Sequence, residues 1–387
     1  MAAIPICRAV LSKSYPGGNF DYHIAPFKTA IDNGLRVIMP YYGIPVGQTD
    51  EAVAMTYNRK ILTDLLRDQL GFEGVVCNDW GVLTSRAWGV EALSLAERFA
   101  RSIEAGVDQY GGESDTQILL DLVLSGVIDE ARIDRSVMRI LKNKFALGLF
   151  EQRYVNEARI AERVMTADYV AAGIAAQGQS LVLLKNQSLL PAEISSAGVL
   201  PLPRKAAVYV DGMDTDALSK FAEVVDNPAV ADYVIASLGS VYNGRQLAGS
   251  DLLSDRILSS VLPDDDLRFS NAIVERLRGY AELALLIVLI DLNRPAVLGD
   301  IQAFSDALIG TFGVEDRVAL EVIFGDQQPT GQLPFELPAS IAAVPGQLED
   351  LPDDSQDPTY PFGHGLRYPN HNSTLYIPLD ADPKDGE

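Results

Sequence analysis

The chemistry this chain could perform is concentrated at Asp79, which closes the stretch Phe72-Glu-Gly-Val-Val-Cys-Asn-Asp-Trp-Gly81. Gly74 interrupts what precedes it, and the short run Val75, Val76, Cys77 is apolar and β-branched, which reads as a buried parallel strand. Asp79 then stands at the carboxyl end of that strand. In α/β folds this is the edge from which catalytic side chains project and at which ligands bind. Trp80 beside it offers an apolar platform on which a sugar ring can stack. A carboxylate followed by an aromatic so placed is a candidate site for ligand binding or catalysis. The competing reading is an Asp that caps the next helix or solvates a loop, and only its neighbours decide between the two.

Those neighbours supply repeated strand–helix units. After the turn residues Tyr15-Pro-Gly-Gly-Asn19, a short helix over Lys28–Asn33 is ended by Gly34. Leu35–Met39 is a strand stopped by Pro40, with Tyr41, Tyr42 and Gly43 at its end. Ile61, Leu62, Leu65, Leu66 and Leu70 line one face of a helix, and the Asp79 strand follows. A helix with Leu93, Ala96, Phe99 and Ile103 inward closes at Gly106, and Val107–Gly112 is a third strand end. Two further helices, around Ile118–Val123 and Ile133–Phe145, run to Gly148. Pro40, Asp79 and Asp108 stand 39 and 29 residues apart, close to the roughly 31 residues per unit of an eight-fold (β/α) barrel. Three units cannot close such a barrel, so an open edge, and with it self-association, is expected.

A helix over about 155–177 leads into a different pattern. Ser180–Lys185 is a strand, and residues 186–203 form a Pro- and Ser-containing connection. Ala207–Val210, Tyr233–Leu238, Ala284–Ile290 and Leu308–Phe312 are apolar strands alternating with helices over Asn271–Leu283 and Val314–Phe324. Continuous apolar strands with intervening helices indicate a mostly parallel sheet covered on both faces. The last residues, from Asp380, read as an acidic tail.

Composition excludes several classes. The 387 residues carry a formal net charge of -22, with 48% hydrophobic and 22% charged residues. That balance suits a soluble protein with a neutral ligand and argues against nucleic acid or an anionic membrane as partner. No apolar run reaches the ~18 residues that a membrane span needs. The two cysteines, Cys7 and Cys77, exclude a disulfide scaffold, and three scattered histidines give no basis for a metal or other cofactor. Residues 1–11 lack the long apolar core of a signal peptide.

Several segments in order now carry a resemblance. Gly71-Phe-Glu-Gly-Val-Val-Cys-Asn-Asp-Trp80, Ala105-Gly-Val-Asp-Gln-Tyr-Gly-Gly112, Pro26–Gly34 with Val37–Gly43, Leu181-Val-Leu-Leu-Lys-Asn186, Asn293-Arg-Pro295, Phe324-Gly-Asp326 with Pro329–Pro334, and Tyr360-Pro-Phe-Gly-His-Gly-Leu366 together resemble glycoside hydrolase family 3, the β-glucosidase and exo-β-glucanase family. The resemblance implies an α/β chain in which a partial (β/α)8 TIM-barrel portion precedes a doubly wound α/β sandwich. The expected division is 1–150 for the barrel portion, 151–179 for a linker helix and 180–387 for the sandwich.

The same resemblance implies that Asp79 is the nucleophile of a retaining glycosidase, with Trp80, Tyr42 and Met39 as substrate-binding residues and a β-glucoside or β-glucan oligosaccharide as ligand. Two departures qualify it. Family members carry earlier barrel strands whose side chains hold sugar hydroxyls, whereas this chain begins near the sixth. The acid/base of related members is a Glu on a loop of the second domain, after the strand at Tyr233–Leu238, where this chain has Gly239-Ser-Val-Tyr-Asn-Gly-Arg245 and no Glu. Asp251 or Asp255 are the acid/base candidates on that loop, against the more ordinary reading of solvated loop acids. Asp108 is expected to orient loop backbone at the barrel mouth, and His364 and His23 to be structural, His23 alternatively a hydroxyl donor at the rim. The implied activity is hydrolysis of terminal non-reducing β-D-glucosyl residues, impaired where most of the pocket is missing. The alternatives are a non-catalytic remnant that binds carbohydrate or acts as a scaffold, and, within the family, β-N-acetylglucosaminidase or β-xylosidase activity.

Overall fold

The structure, a computed structural model, describes residues 12–189, 198–241 and 267–368. The chain divides into two units, the first holding residues up to 160 and, from much later in the sequence, Leu348–Leu351.

In the first unit the elements are β1 (Ser12–Lys13), α1 (Phe20–Asp32), β2 (Val37–Ile38), β3 (Ile44–Pro45), α2 (Lys60–Gln69), β4 (Val75–Val76), α3 (Leu95–Ala105), α4 (Thr116–Leu124) and α5 (Glu130–Ala146). β2 and β4 pair in parallel, Val37 with Val75 and Ile38 with Val76, and a parallel bridge from Cys77 to Gln109 adds the third strand position. This is the strand order expected of three consecutive barrel units. The strands are shorter than the sequence suggests, because the glycines and aromatics at their ends turn the chain out of the sheet after two residues. Leu62, Leu66, Phe72, Val76, Ala105 and Val107 form a core behind them.

Helix starts and stops follow side-chain chemistry. Ser94 caps α3 in a reciprocal box with Glu97, its Oγ accepting from Glu97 N–H while the Glu97 carboxylate accepts from Ser94 N–H at 2.7 Å. Asp115 and Asp129 cap α4 and α5 through their side chains. One expectation fails. The first helix begins at Phe20 rather than Lys28, and Pro26 lies inside it; the carbonyl that Pro26 leaves without a backbone donor is that of Tyr22, on an exposed face where water can serve it. α2 is wound with i→i+5 hydrogen bonds, such as Leu70 N–H to Leu65 O at 2.9 Å.

The expected continuous helix over 155–177 is also broken. A turn at Glu157–Arg159 runs into α6 (Ile160–Arg163), Met165 takes φ +52°, and Thr166 caps a new helix, α7 (Ala167–Ser180). The Thr166 hydroxyl accepts from Tyr169 N–H, so it competes with the helix ladder at that point.

Among the described residues the second unit holds a six-stranded sheet, ordered β5 (Val182–Asn186), β10 (Ala307–Thr311), β9 (Leu285–Asp291), β8 (Tyr233–Leu238), β6 (Ala207–Asp211) and β7 (Glu223–Val224). All neighbours are parallel except β5, which runs antiparallel to β10. Because side chains alternate along a strand, Ile235, Ile287, Leu289 and Ile309 face one side and Val234, Ala236, Leu286, Val288 and Ile290 the other. α11 (Asp316–Ile323) covers the first face through Val318, Val322 and Ile323; α9 (Asn271–Ala281) and α10 (Gly299–Phe304) cover the second through Leu277 and Ile301. α8 (Thr215–Leu218) is a single further turn between β6 and β7. β7, α8 and α10 were not foreseen, each being too short to show a period. Among the described residues no helix is long and apolar enough to cross a membrane.

Candidate active site

Asp79 lies three residues beyond β4, at the carboxyl end of the three-strand array. Its side chain is one-fifth exposed. Oδ1 accepts from the Trp80 N–H at 2.7 Å, and Oδ2 stands 3.7 Å from a terminal nitrogen of Arg86. One carboxylate oxygen is thus held by a backbone hydrogen bond, while the other faces a cation beyond hydrogen-bond distance.

The backbone before Asp79 is fixed from the next strand position. The buried side chain of Asn78 accepts from Gly111 N–H through Oδ1 at 2.8 Å, while the Asn78 N–H donates to Gln109 O at 3.0 Å. Gly111 and Gly112 are needed here for space. The indole of Trp80 lies against both, so that a Cβ at either position would meet its ring atoms, and Gly112 additionally takes φ +74°. Trp80 therefore lies on glycine backbone with its outer face bare, at 62% exposure. That is the geometry of a stacking platform.

From the end of β2, Tyr42 stacks on Tyr41 with ring centroids 4.5 Å apart and meets Trp88 edge-on at 5.2 Å. Arg86 sits over Tyr42, its guanidinium carbon 4.9 Å from the ring centroid. Burial pushes the Tyr41 hydroxyl up to about 12, reinforced by Tyr42 and opposed by Arg86, so Tyr41 is a neutral hydrogen-bonding group at neutral pH. Burial likewise raises the thiol of Cys77, two residues before Asp79.

The sequence-derived residues thus fall unequally. Asp79, Trp80 and Tyr42 are joined through Arg86. Met39 is 54% exposed and lines, with Phe27, Ile38 and Leu65 among others, an apolar cavity of about 160 Å³ between α1 and α2. Asp251 and Asp255 lie outside the described residues. Asp108 is placed differently from the expectation. Its side chain is fully buried among helices, where Oδ2 accepts from Arg67 at 2.6 Å and from Val76 N–H at 3.0 Å, and Oδ1 from Arg139 at 2.8 Å and Ser136 at 2.7 Å. It does hold backbone, but as the hub of an ion cluster that fastens α2 and α5 to the strands. The signal for this was present, since Arg132, Ser136 and Arg139 share one face of α5 at helical spacing. His23 contacts the carbonyl of Asp350 and His364 that of Leu184, at 3.1 and 2.9 Å, both structural positions. Arg86 itself escaped sequence reading; nothing in the composition of its loop marks it.

Residues 19–143 match the glycosyl hydrolase family 3 N-terminal domain and residues 211–368 the family 3 C-terminal domain. A probable β-glucosidase C of Aspergillus oryzae is 37% identical over 372 residues, 93% of this chain and 56% of that protein. A periplasmic β-glucosidase/β-xylosidase of Dickeya chrysanthemi is 35% identical over 379 residues, 90% of this chain and 55% of that protein. The chain therefore spans little more than half the length of these relatives. Among solved structures, a β-glucosidase from Listeria innocua in complex with isofagomine superposes with a TM-score of 0.70 at 23% identity, over 88% of this chain and 53% of that one, which establishes the shared fold.

Proposed function

We propose that this chain, which belongs to glycoside hydrolase family 3, contributes the nucleophile side of a retaining β-glucosidase site, with Asp79 as the attacking carboxylate. The observation that carries the reading is the placement of Asp79 at the strand end, held at one oxygen by a backbone hydrogen bond, faced at the other by Arg86 and flanked by the bare face of Trp80.

In the proposed sequence the Asp79 carboxylate attacks the anomeric carbon of a terminal β-D-glucosyl residue as a second carboxylic acid protonates the departing oxygen. Water, activated by that second group, then displaces Asp79 and regenerates it, so that two inversions give net retention. Trp80 stacks on the sugar or on the group that leaves. Tyr42 forms the opposite wall and Met39 an outer, apolar edge. The second carboxyl group is assigned to Asp251 or Asp255. β-Glucosides are the proposed substrates because the relatives at 37 and 35% identity are named for them, and β-xylosides are the second choice because one of those names includes them.

The 387-residue polypeptide by itself is expected to turn over slowly. Trp80 is 62% exposed and Asp79 opens to solvent, whereas positioning and exclusion of water supply ~7–11 kcal/mol of barrier lowering in an enclosed site. The test is hydrolysis of an aryl β-glucoside, with product stereochemistry followed by NMR, by the chain and by Asp79→Asn. Retention in the parent and loss of the covalent intermediate in Asp79→Asn are expected. Turnover of Asp79→Asn at the parental rate would remove the assignment, and absence of hydrolysis and of sugar binding in both would favour a scaffolding role.

A further inference from the structure

We infer that Arg86 is a positioning residue of the site, setting the orientation of the Asp79 carboxylate and the Trp80 platform together; the inference rests on the proposed role of Asp79.

The local backbone is built to return Arg86 to the strand end. Gly81 takes φ +68°, and its carbonyl accepts from both Ser85 N–H at 2.9 Å and Arg86 N–H at 3.0 Å, with the Ser85 hydroxyl adding a third bond at 3.1 Å. This closed turn carries the chain away from Trp80 and back within five residues. The Arg86 guanidinium then donates to the Trp80 carbonyl at 2.8 Å, approaches Asp79 Oδ2 at 3.7 Å and lies over the ring of Tyr42. One planar group thereby joins the backbone that carries the platform, the carboxylate and the wall contributed by β2.

These contacts divide the work at Asp79. Oδ1 is held by the Trp80 N–H and Oδ2 is drawn toward Arg86, so rotation of the carboxylate about its bond to Cβ is restrained at both ends. The same cation restrains Trp80 through its carbonyl. The arrangement differs from the arginines of the Asp108 cluster, whose side chains are only 10–24% exposed and converge on a carboxylate with no exposure of its own. Arg86 is 40% exposed, and an ion pair at that exposure and distance adds little to folding. Its effect is therefore on geometry at the mouth. A lysine keeps the charge but has no planar fork with which to serve a carbonyl, a carboxylate and an aromatic face at once.

The test uses the full chain labelled with 5-fluorotryptophan, which puts one 19F reporter at Trp80 and one at Trp88, the chain's two tryptophans. A Trp80→Phe variant assigns them. Arg86→Ala and Arg86→Gln should shift and broaden the Trp80 resonance, and Arg86→Lys should recover part of the parental line. On an aryl β-glucoside Arg86→Ala should lower kcat about tenfold with KM changed by less than about twofold, the pattern of a group that orients the reacting carboxylate rather than binding substrate. An unmoved Trp80 resonance in Arg86→Ala, in a chain that melts as the parent does, overturns the inference; if Arg86→Ala does not fold, the same reading is taken from Arg86→Gln. Failure of the underlying function looks different. Parental turnover in Asp79→Asn removes the nucleophile while leaving the Trp80 resonance free to answer for Arg86.

Discussion

The two units hold themselves together by different means. In the second, β8 and β9 run six and seven residues, Leu286, Ile287, Val288 and Ile290 are fully buried, and helices close both faces. In the first, β2 and β4 are two residues long and the third strand position is a single bridge. What replaces the ladder there is side chain to backbone bonding. Arg67 donates to the carbonyls of Phe72 and Gly74, Arg132 to those of Ile103 and Val107, and Asp108 receives the Val76 N–H. A sheet that only has to be stable can be built from uninterrupted apolar strands. One that must stop early, so that Asp79, Trp80 and Tyr42 project from its end, needs polar ties to hold the strand ends where the ladder has stopped.

If that contrast is right, the largest single effects should come from the ion cluster. Asp108→Ala leaves Arg67, with a side chain only 10% exposed, without its carboxylate, and loss of one partner of a buried pair costs about 3–5 kcal/mol. Urea unfolding followed at the two tryptophans, both of which lie in the first unit, should show it; a cost below about 1 kcal/mol would mean that apolar packing alone holds this unit. The corresponding change in the second unit is Ile287→Ala, at a fully buried central position, expected to cost about 2–5 kcal/mol by far-UV circular dichroism.

A proteolysis experiment tests whether the units are separable. Residues 151–165 are all exposed and include Arg153, Arg159 and Arg163. We expect trypsin to cut in this stretch and leave a resistant C-terminal fragment, in keeping with a proposed division of 1–150, 151–179 and 180–387. Protection of the N-terminal part with digestion of the C-terminal part would reverse the comparison.

The contrast also explains what could be read from the sequence. The second unit was legible because its signals are collective, as in Leu285–Asp291, where buried residues repeat along a whole strand and point to cover on both faces. Only its short elements and the antiparallel direction of β5 went unread, since a strand's sequence does not encode which way its neighbour runs. In the first unit the strand positions came from spacing and the proposed site from Asp79 and Trp80, but the strand lengths did not. They are set by where Gly74, Gly111 and Gly112 let backbone and indole approach, a tertiary matter. The break at Thr166 was readable in principle from its capping side chain. Arg86 was not, because its contacts depend on a turn whose closure no local pattern announces.

A smaller effect is expected at the platform. Gly112→Ala would force a side chain onto φ +74° and against Trp80, at a cost of about 1–3 kcal/mol. The Trp80 emission should move with it. If Trp80 is unaffected while stability falls, the glycine serves only the turn and the platform is held by Arg86 alone.

The smallest effect is local and depends on pH. Leu348–Leu351 returns to the first unit at the start of α1, where the buried carboxylate of Asp350 accepts from Gly17 N–H and Asn19 N–H, each at 2.8 Å, and Leu351 packs on Gly17. Burial alone would push this carboxyl up, but the backbone bonds from Asn19 and Gly17 outweigh it and hold it below its ordinary value of 3.8. A carboxyl whose folded value lies below the unfolded one adds stability that is complete above the unfolded value and is lost as pH falls through the folded one. Exchange of the Gly17 and Asn19 amides, corrected for the intrinsic rate, should therefore be slow and flat above 3.8 and speed up below it. Asp350→Asn should raise the rate at every pH and remove the acid step, while amides of the second unit, such as those of β9, keep their protection throughout. Acid exposure of β9 before the α1 corner would show that the polar ties of the first unit are not its weak point.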